Sequence, residues 1–125
     1  MKWIIALLVL CITAVPFAQY GKPVTPEVEK KNIQVLIQKK AKAKTAFQKL
    51  PKDAKVKKAY VDANVALGLQ YTFAGTVDRK VKYKLALENF REALKWDPQN
   101  KEAREMQDQI VAIYKSMGRP VPGGG

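Results

Sequence analysis

Apolar residues recur along this chain at steps of three and four, and no stretch alternates strictly between apolar and polar. That rhythm predicts helices and gives no sign of a strand. A first helix is expected over 26–49, with Val28, Ile33, Leu36, Ile37, Ala43, Phe47 and Leu50 carrying its apolar positions and lysines filling much of the rest. Thr25 as N-cap, Pro26 at the first helical position and Glu27 next form a strong start signal. Pro51 ends the helix. A second helix is expected over 54–74, with Asp53 as candidate N-cap. It carries two stripes: Val56, Tyr60, Ala63, Leu67, Tyr71 and Ala74 form one, and Val61, Val65, Leu69 and Phe73 form the other. Two apolar faces imply more than one neighbour, which makes this helix central. Gly75 would close it as a left-handed cap. A third helix is expected over 78–96, with Tyr83, Ala86, Leu87, Phe90, Ala93 and Leu94 on its stripe. A fourth is expected over 101–117, where Ala103, Met106, Ile110, Ile113 and Met117 recur and Gly118 terminates. "RPVPGGG" (residues 119–125) follows Gly118, and 118–125 reads as a flexible tail without packing material.

The expected fold class is therefore all-α: four antiparallel helices with short connections. An up-down bundle and a short solenoid of helical hairpins both satisfy the pattern.

The segment before the first helix has a different character. "MKWIIALLVLCITAVPFAQ" begins with Lys2, continues as an apolar run from Trp3 to Val15 and reaches the small residue Ala18. This order describes a secretory signal peptide over 1–18, cut after Ala18. The run is shorter than the ~20 residues a membrane span needs. Pro16 makes the cleavage pattern imperfect, and an uncleaved anchor is the alternative. Leu10 before Cys11 disfavours a lipoprotein. Residues 19–25 form an extended leader, and 26–117 the helical domain. Cys11 is the only cysteine and lies inside the signal segment, so the mature chain has no disulfides and must hold itself by packing. An exported bacterial protein, in the periplasm or outside the cell, is expected.

Composition narrows the chemistry. The chain has no histidine, and Ser116 is its only serine. The usual nucleophile–base pairs and most zinc sites are therefore excluded, and no catalytic residue, metal site or cofactor is expected. Glu88, Glu92, Glu102 and Glu105 sit among Arg91, Lys95, Lys101 and Arg104 at the spacing of ordinary helix-surface ion pairs. The formal charge of +12 is unevenly spread: twelve lysines between 22 and 58 face only Glu27, Glu29 and Asp53. That lysine field reads first as a solvated surface, and second as a surface for an anionic envelope or lipid headgroups. Nucleic acid is not expected, because arginine is scarce and no recognition motif is present.

One stretch adds a resemblance. "LGLQYTFAG" places Leu67, Gly68, Tyr71 and Gly75 on the second helix, and "YKLALENFREALKWDP" places Tyr83, Ala86, Phe90, Ala93 and Pro98 downstream. This order and spacing resemble a tetratricopeptide repeat over about 61–100, with degenerate helices on either side. The resemblance implies a helical-hairpin solenoid, with Gly68 and Ala86 at a close approach of paired helices and Tyr71 and Phe90 beside it. Two departures stand out: Asn64 occupies the slot where the family has Trp, and "TVDRKV" (76–81) reads as an insertion. The resemblance further implies a protein–protein interaction module, an adaptor or assembly factor. Asn64, with Lys57 and Gln70 nearby, would be its peptide-clasping residues, the alternative for Asn64 being a solvated side chain. Two other functions stay open: a self-associating structural subunit, and a lysine-rich protein that binds anionic surfaces.

Overall fold

The computed structural model describes residues 23–124. The expected signal segment and most of the leader lie outside the described residues. The order of elements is α1 (Pro26–Lys49), α2 (Ala54–Phe73), α3 (Arg79–Trp96) and α4 (Lys101–Ser116). The fold is all-helical, and no strand occurs among the described residues. None of these helices is long and apolar enough to cross a membrane.

Each helix starts on a side-chain cap. Thr25 Oγ1 accepts from Val28 N, and Asp53 Oδ1 accepts from Lys55 N and Val56 N. Asp78 and Asn100 do the same for α3 and α4 through Lys80 N and Ala103 N. Orphan amides of the first turn are thereby satisfied, which sets where each helix begins. Asp78 is thus the cap of α3 rather than its first residue, and Ala74 and Met117 are caps rather than last residues.

Helix ends differ more from expectation. Gly75 was expected as the left-handed cap of α2, but it does not have positive φ. Ala74 caps the helix in an extended conformation, φ −63° and ψ 126°. The physical reason is Glu29 of α1: its carboxylate accepts from Gly75 N and Thr76 N, both at 2.7 Å. The leaving amides find a charged acceptor directly, so no left-handed turn is needed. Gly75 is also exposed and packs nothing; an added Cβ would meet only Glu29 Oε1 at 3.9 Å. The left-handed cap is Gly118, φ 62°. There Gly118 N reaches Lys115 O and Arg119 N reaches Tyr114 O, the paired bonds of a Schellman motif.

Packing runs α1 on α2, α2 on α3 and α3 on α4, with α4 also touching α2. Central α2 buries Tyr60, Val61, Ala63, Val65, Leu67, Gly68, Leu69 and Tyr71. A close approach lies at Gly68, where a Cβ would lie 2.7 Å from Phe90 Cε1. Real Cβ atoms do not approach so closely, so the Phe90 ring occupies the space a side chain would need. Ala86, Leu87, Phe90 and Ala93 of α3 and Ala103 of α4 are fully enclosed beside it. Tyr83 is half-buried at the margin of this core, and Pro98 is exposed in the α3–α4 turn.

The 118–125 stretch does carry packing material. Val121 packs against the core, and Arg91 of α3 donates from Nη1 to Pro122 O and from Nη2 to Gly124 O. The chain after α4 therefore folds back onto α3.

Candidate interaction surface

α1 is pinned to the rest of the molecule near both ends. At its start, Glu29 is buried and also accepts from Thr76 Oγ1. Burial alone would push the Glu29 carboxyl up. The Thr76 hydroxyl, the Gly75 and Thr76 amides and the charge of Lys82 outweigh that and hold it below its ordinary value. Lys82 Nζ donates to Ala74 O at 2.8 Å, so the same loop is tied from α3 as well.

At the other end, Phe47 stacks on Tyr60 with centroids 5.4 Å apart and meets Trp96 edge-on at 4.9 Å. Inside this triad Glu92 Oε1 accepts from Tyr60 OH and Trp96 Nε1, both at 3.0 Å. Glu92 is therefore not the surface ion-pair partner expected of it. Burial raises its carboxyl, but the Trp96 and Tyr60 donors, with the charges of Lys95 and Lys40, hold it below the ordinary value. Burial and the Glu92 acceptor push the Tyr60 phenol up. Of the four glutamates expected in surface pairs, Glu105 does pair with Lys101, at an exposed 3.7 Å.

Between the two pins, no α1 residue comes within 8 Å of an α3 residue at Cα among the described residues. A cleft of about 340 Å³ opens there over α2. Its floor is Leu67 and Tyr71, one wall is Ile37 with Lys40 and Lys44, and the other is Leu85 with Glu88 and Asn89. Lys40 Nζ spans the cleft to Asn89 Oδ1 at 2.8 Å, and Asn89 Nδ2 is anchored on Leu85 O. Lys40 is thus half-buried, unlike the solvated lysines expected of this helix. Burial pushes its ammonium below the ordinary lysine value; Glu92 and Glu88 oppose that and Lys44 adds to it. The result is an apolar trough with a polar rim, a form suited to taking an apolar side chain and hydrogen-bonding its flanks.

The residues expected to clasp a peptide do not form this site. Asn64 is wholly buried, neither solvated nor facing a groove. Its Nδ2 donates to Tyr60 O one turn back at 2.9 Å, and its Oδ1 meets no donor among the described residues. Lys57 is exposed in a separate recess with Trp96 and Asn100 at the end of the helices. Gln70 is half-buried and lies about 120° around α2 from Asn64. The three are not brought together. Of the groups that matter most here, Glu29 and Asn89 were expected at no site, Lys40 was expected in the solvated lysine field and Glu92 in a surface ion pair. For Glu29 and Lys40 the signal lay in register: Glu29, Ile33, Leu36, Lys40, Ala43 and Phe47 step by fours and threes, so both charged residues occupy inward positions of α1.

Comparison of the chain with protein-family models, curated proteins and solved structures gave no match, and the character of this surface rests on its own geometry.

Proposed function

We propose that the protein is a small interaction module whose α1–α3 cleft receives a segment of a partner protein. The observation that carries this reading is the cleft itself: two helices held apart by a pin at each end, over an apolar floor. The wedge of Phe90 against Gly68 keeps α2 and α3 close, and the pins then fix where α1 stands relative to α3. The site is thus preorganised, which lowers the entropic cost of binding. The resemblance to tetratricopeptide repeats supports the same reading, since helical hairpins of that family serve as protein-binding scaffolds. Under it the module is an exported adaptor or assembly factor of the bacterial envelope. A second reading, contact with anionic surfaces, draws on the run of lysines between Lys30 and Lys58.

The test is a photo-crosslinking residue placed at position 88 in the cleft or at position 108 on exposed α4, in the native host. Capture at 88, its loss on Ile37→Glu, and no capture at 108 are expected. Equal capture at both positions, or capture indifferent to Ile37→Glu, would overturn the cleft as the binding site.

A further inference from the structure

α1 has a second apolar flank that the cleft does not use. Val28, Val35 and Leu50 are 44%, 53% and 54% exposed, and half-buried Ala46 lies between the last two. At 100° per residue these four fall within one narrow sector of the helix, on the side away from Ile37 and α3. Asn32 and Lys39 lie in the same sector between these apolar positions, so the apolar surface is concentrated towards the two ends of α1. At its C-terminal end small side chains leave a hollow of about 490 Å³, lined by Ala41, Lys42, Thr45, Ala46, Lys49 and Leu50.

Charge decides what fits. Lys31, Lys39, Lys42 and Lys49 border the strip or the hollow, all exposed. Among the described residues none of them forms an ion pair. A second copy of this chain would bring another lysine-rich α1, or an α4 whose Glu102, Glu105 and Asp108 are offset by Lys101, Arg104 and Lys115. Neither complements four unpaired ammonium groups. A bilayer is also a poor match. The strip carries valine, alanine and leucine but no aromatic, and its lysines crowd the adjacent outward face instead of standing opposite a deep apolar face.

We infer that the outward flank of α1 docks an acidic amphipathic helix of a partner protein. An apolar side chain of that helix fills the hollow beside Leu50, as a knob enters a hole. Carboxylates three or four residues away on the same helix then reach Lys42 and Lys49. This surface is independent of the cleft, and either can fail without the other.

The probe is a synthetic helical peptide as long as α1, with leucines on one face and glutamates flanking them. A control peptide has lysine at every glutamate position. Binding to the chain from Gln19 is followed by fluorescence anisotropy at low and raised salt. The acidic peptide is expected to bind, with affinity falling as salt screens the pairs, and the basic peptide not to bind. Lys42→Glu with Lys49→Glu should weaken the acidic peptide about tenfold or more and admit the basic one, because each attraction becomes a repulsion. Ile37→Glu, on the cleft side, should leave acidic-peptide binding unchanged. All these positions are exposed, and circular dichroism of each variant should match that of the wild type. Equal binding of both peptides, or indifference to the charge reversal, would overturn the inference. So would light scattering that shows a second copy seated on the strip, or anionic vesicles that compete the acidic peptide away.

Discussion

α1 and α4 are the two edge helices of the same four-helix row, yet they finish the molecule in opposite ways. α4 turns Ala103, Met106, Ile110 and Tyr114 inward and shows solvent a balanced set of charges. The chain beyond it then folds back, tied by Arg91 and packed through Val121. α1 turns Glu29, Ile33 and Phe47 inward but leaves Val28, Val35 and Leu50 in water beside lysines that form no ion pair among the described residues. The α4 edge carries balanced charge, with Met117 exposed at its end, and the chain beyond it lies on α3. The α1 edge keeps several apolar side chains and an excess of positive charge on offer. Edge position alone therefore does not make a docking face; what matters is how much apolar surface and unbalanced charge the outer flank shows.

The largest effect should come from the core that both edges share. Phe90→Ala removes a fully enclosed ring and is expected to cost about 3–5 kcal/mol in urea unfolding. Both edges should then lose hydrogen-exchange protection together. An effect confined to one edge would show that α2 and α3 do not form a common base.

Glu29→Gln should separate the edges. It replaces a charged acceptor by a neutral one at the α1 pin and is expected to cost about 1.5–3 kcal/mol. Protection should fall in α1 and the 74–78 loop but not in α4. The wild-type contribution also depends on pH. The folded Glu29 pKa lies below its ordinary 4.5, so the stabilisation is complete above that value and is lost as pH falls through the folded pKa. Acid unfolding followed for wild type and Glu29→Gln should converge at low pH; parallel curves would remove Glu29 as the pin.

Arg91→Ala is the matching cut at the segment after α4, which Arg91 ties to α3. It should cost about 1 kcal/mol and raise exchange only from 119 onward. Val35→Asp should be smallest in stability, within about 0.5 kcal/mol, because the side chain already faces water. Its effect should appear in partner binding instead.

The helices were legible in the sequence because capping residues and apolar periodicity are local signals. Thr25 and Asp53 mark their helix starts directly, Asp78 falls one residue from its own, and Asn100 caps α4 without having been expected to. A close approach at Gly68 was expected through the repeat resemblance, with Ala86 opposite it; there the Phe90 ring lies against Gly68. What escaped was long-range and polar. Gly75 looked like a left-handed cap because the acceptor that makes that cap unnecessary, Glu29, lies 46 residues away in sequence. Glu92 looked like one of several surface glutamates because Tyr60, 32 residues away, reaches it only once α2 and α3 pack. Asn64 was assigned to a groove by its place in the repeat pattern, and packing turned it inward.

The central claim is that the α1 edge accepts a partner and the α4 edge does not. Backbone amide chemical shifts, recorded while the acidic helical peptide is titrated into the protein, test it most directly. Shifts that saturate along α1 at Val28, Val35, Lys42 and Lys49 are expected, with α4 and residues 119–124 unmoved. Shifts on α4, or none on α1 at saturating peptide, would contradict it.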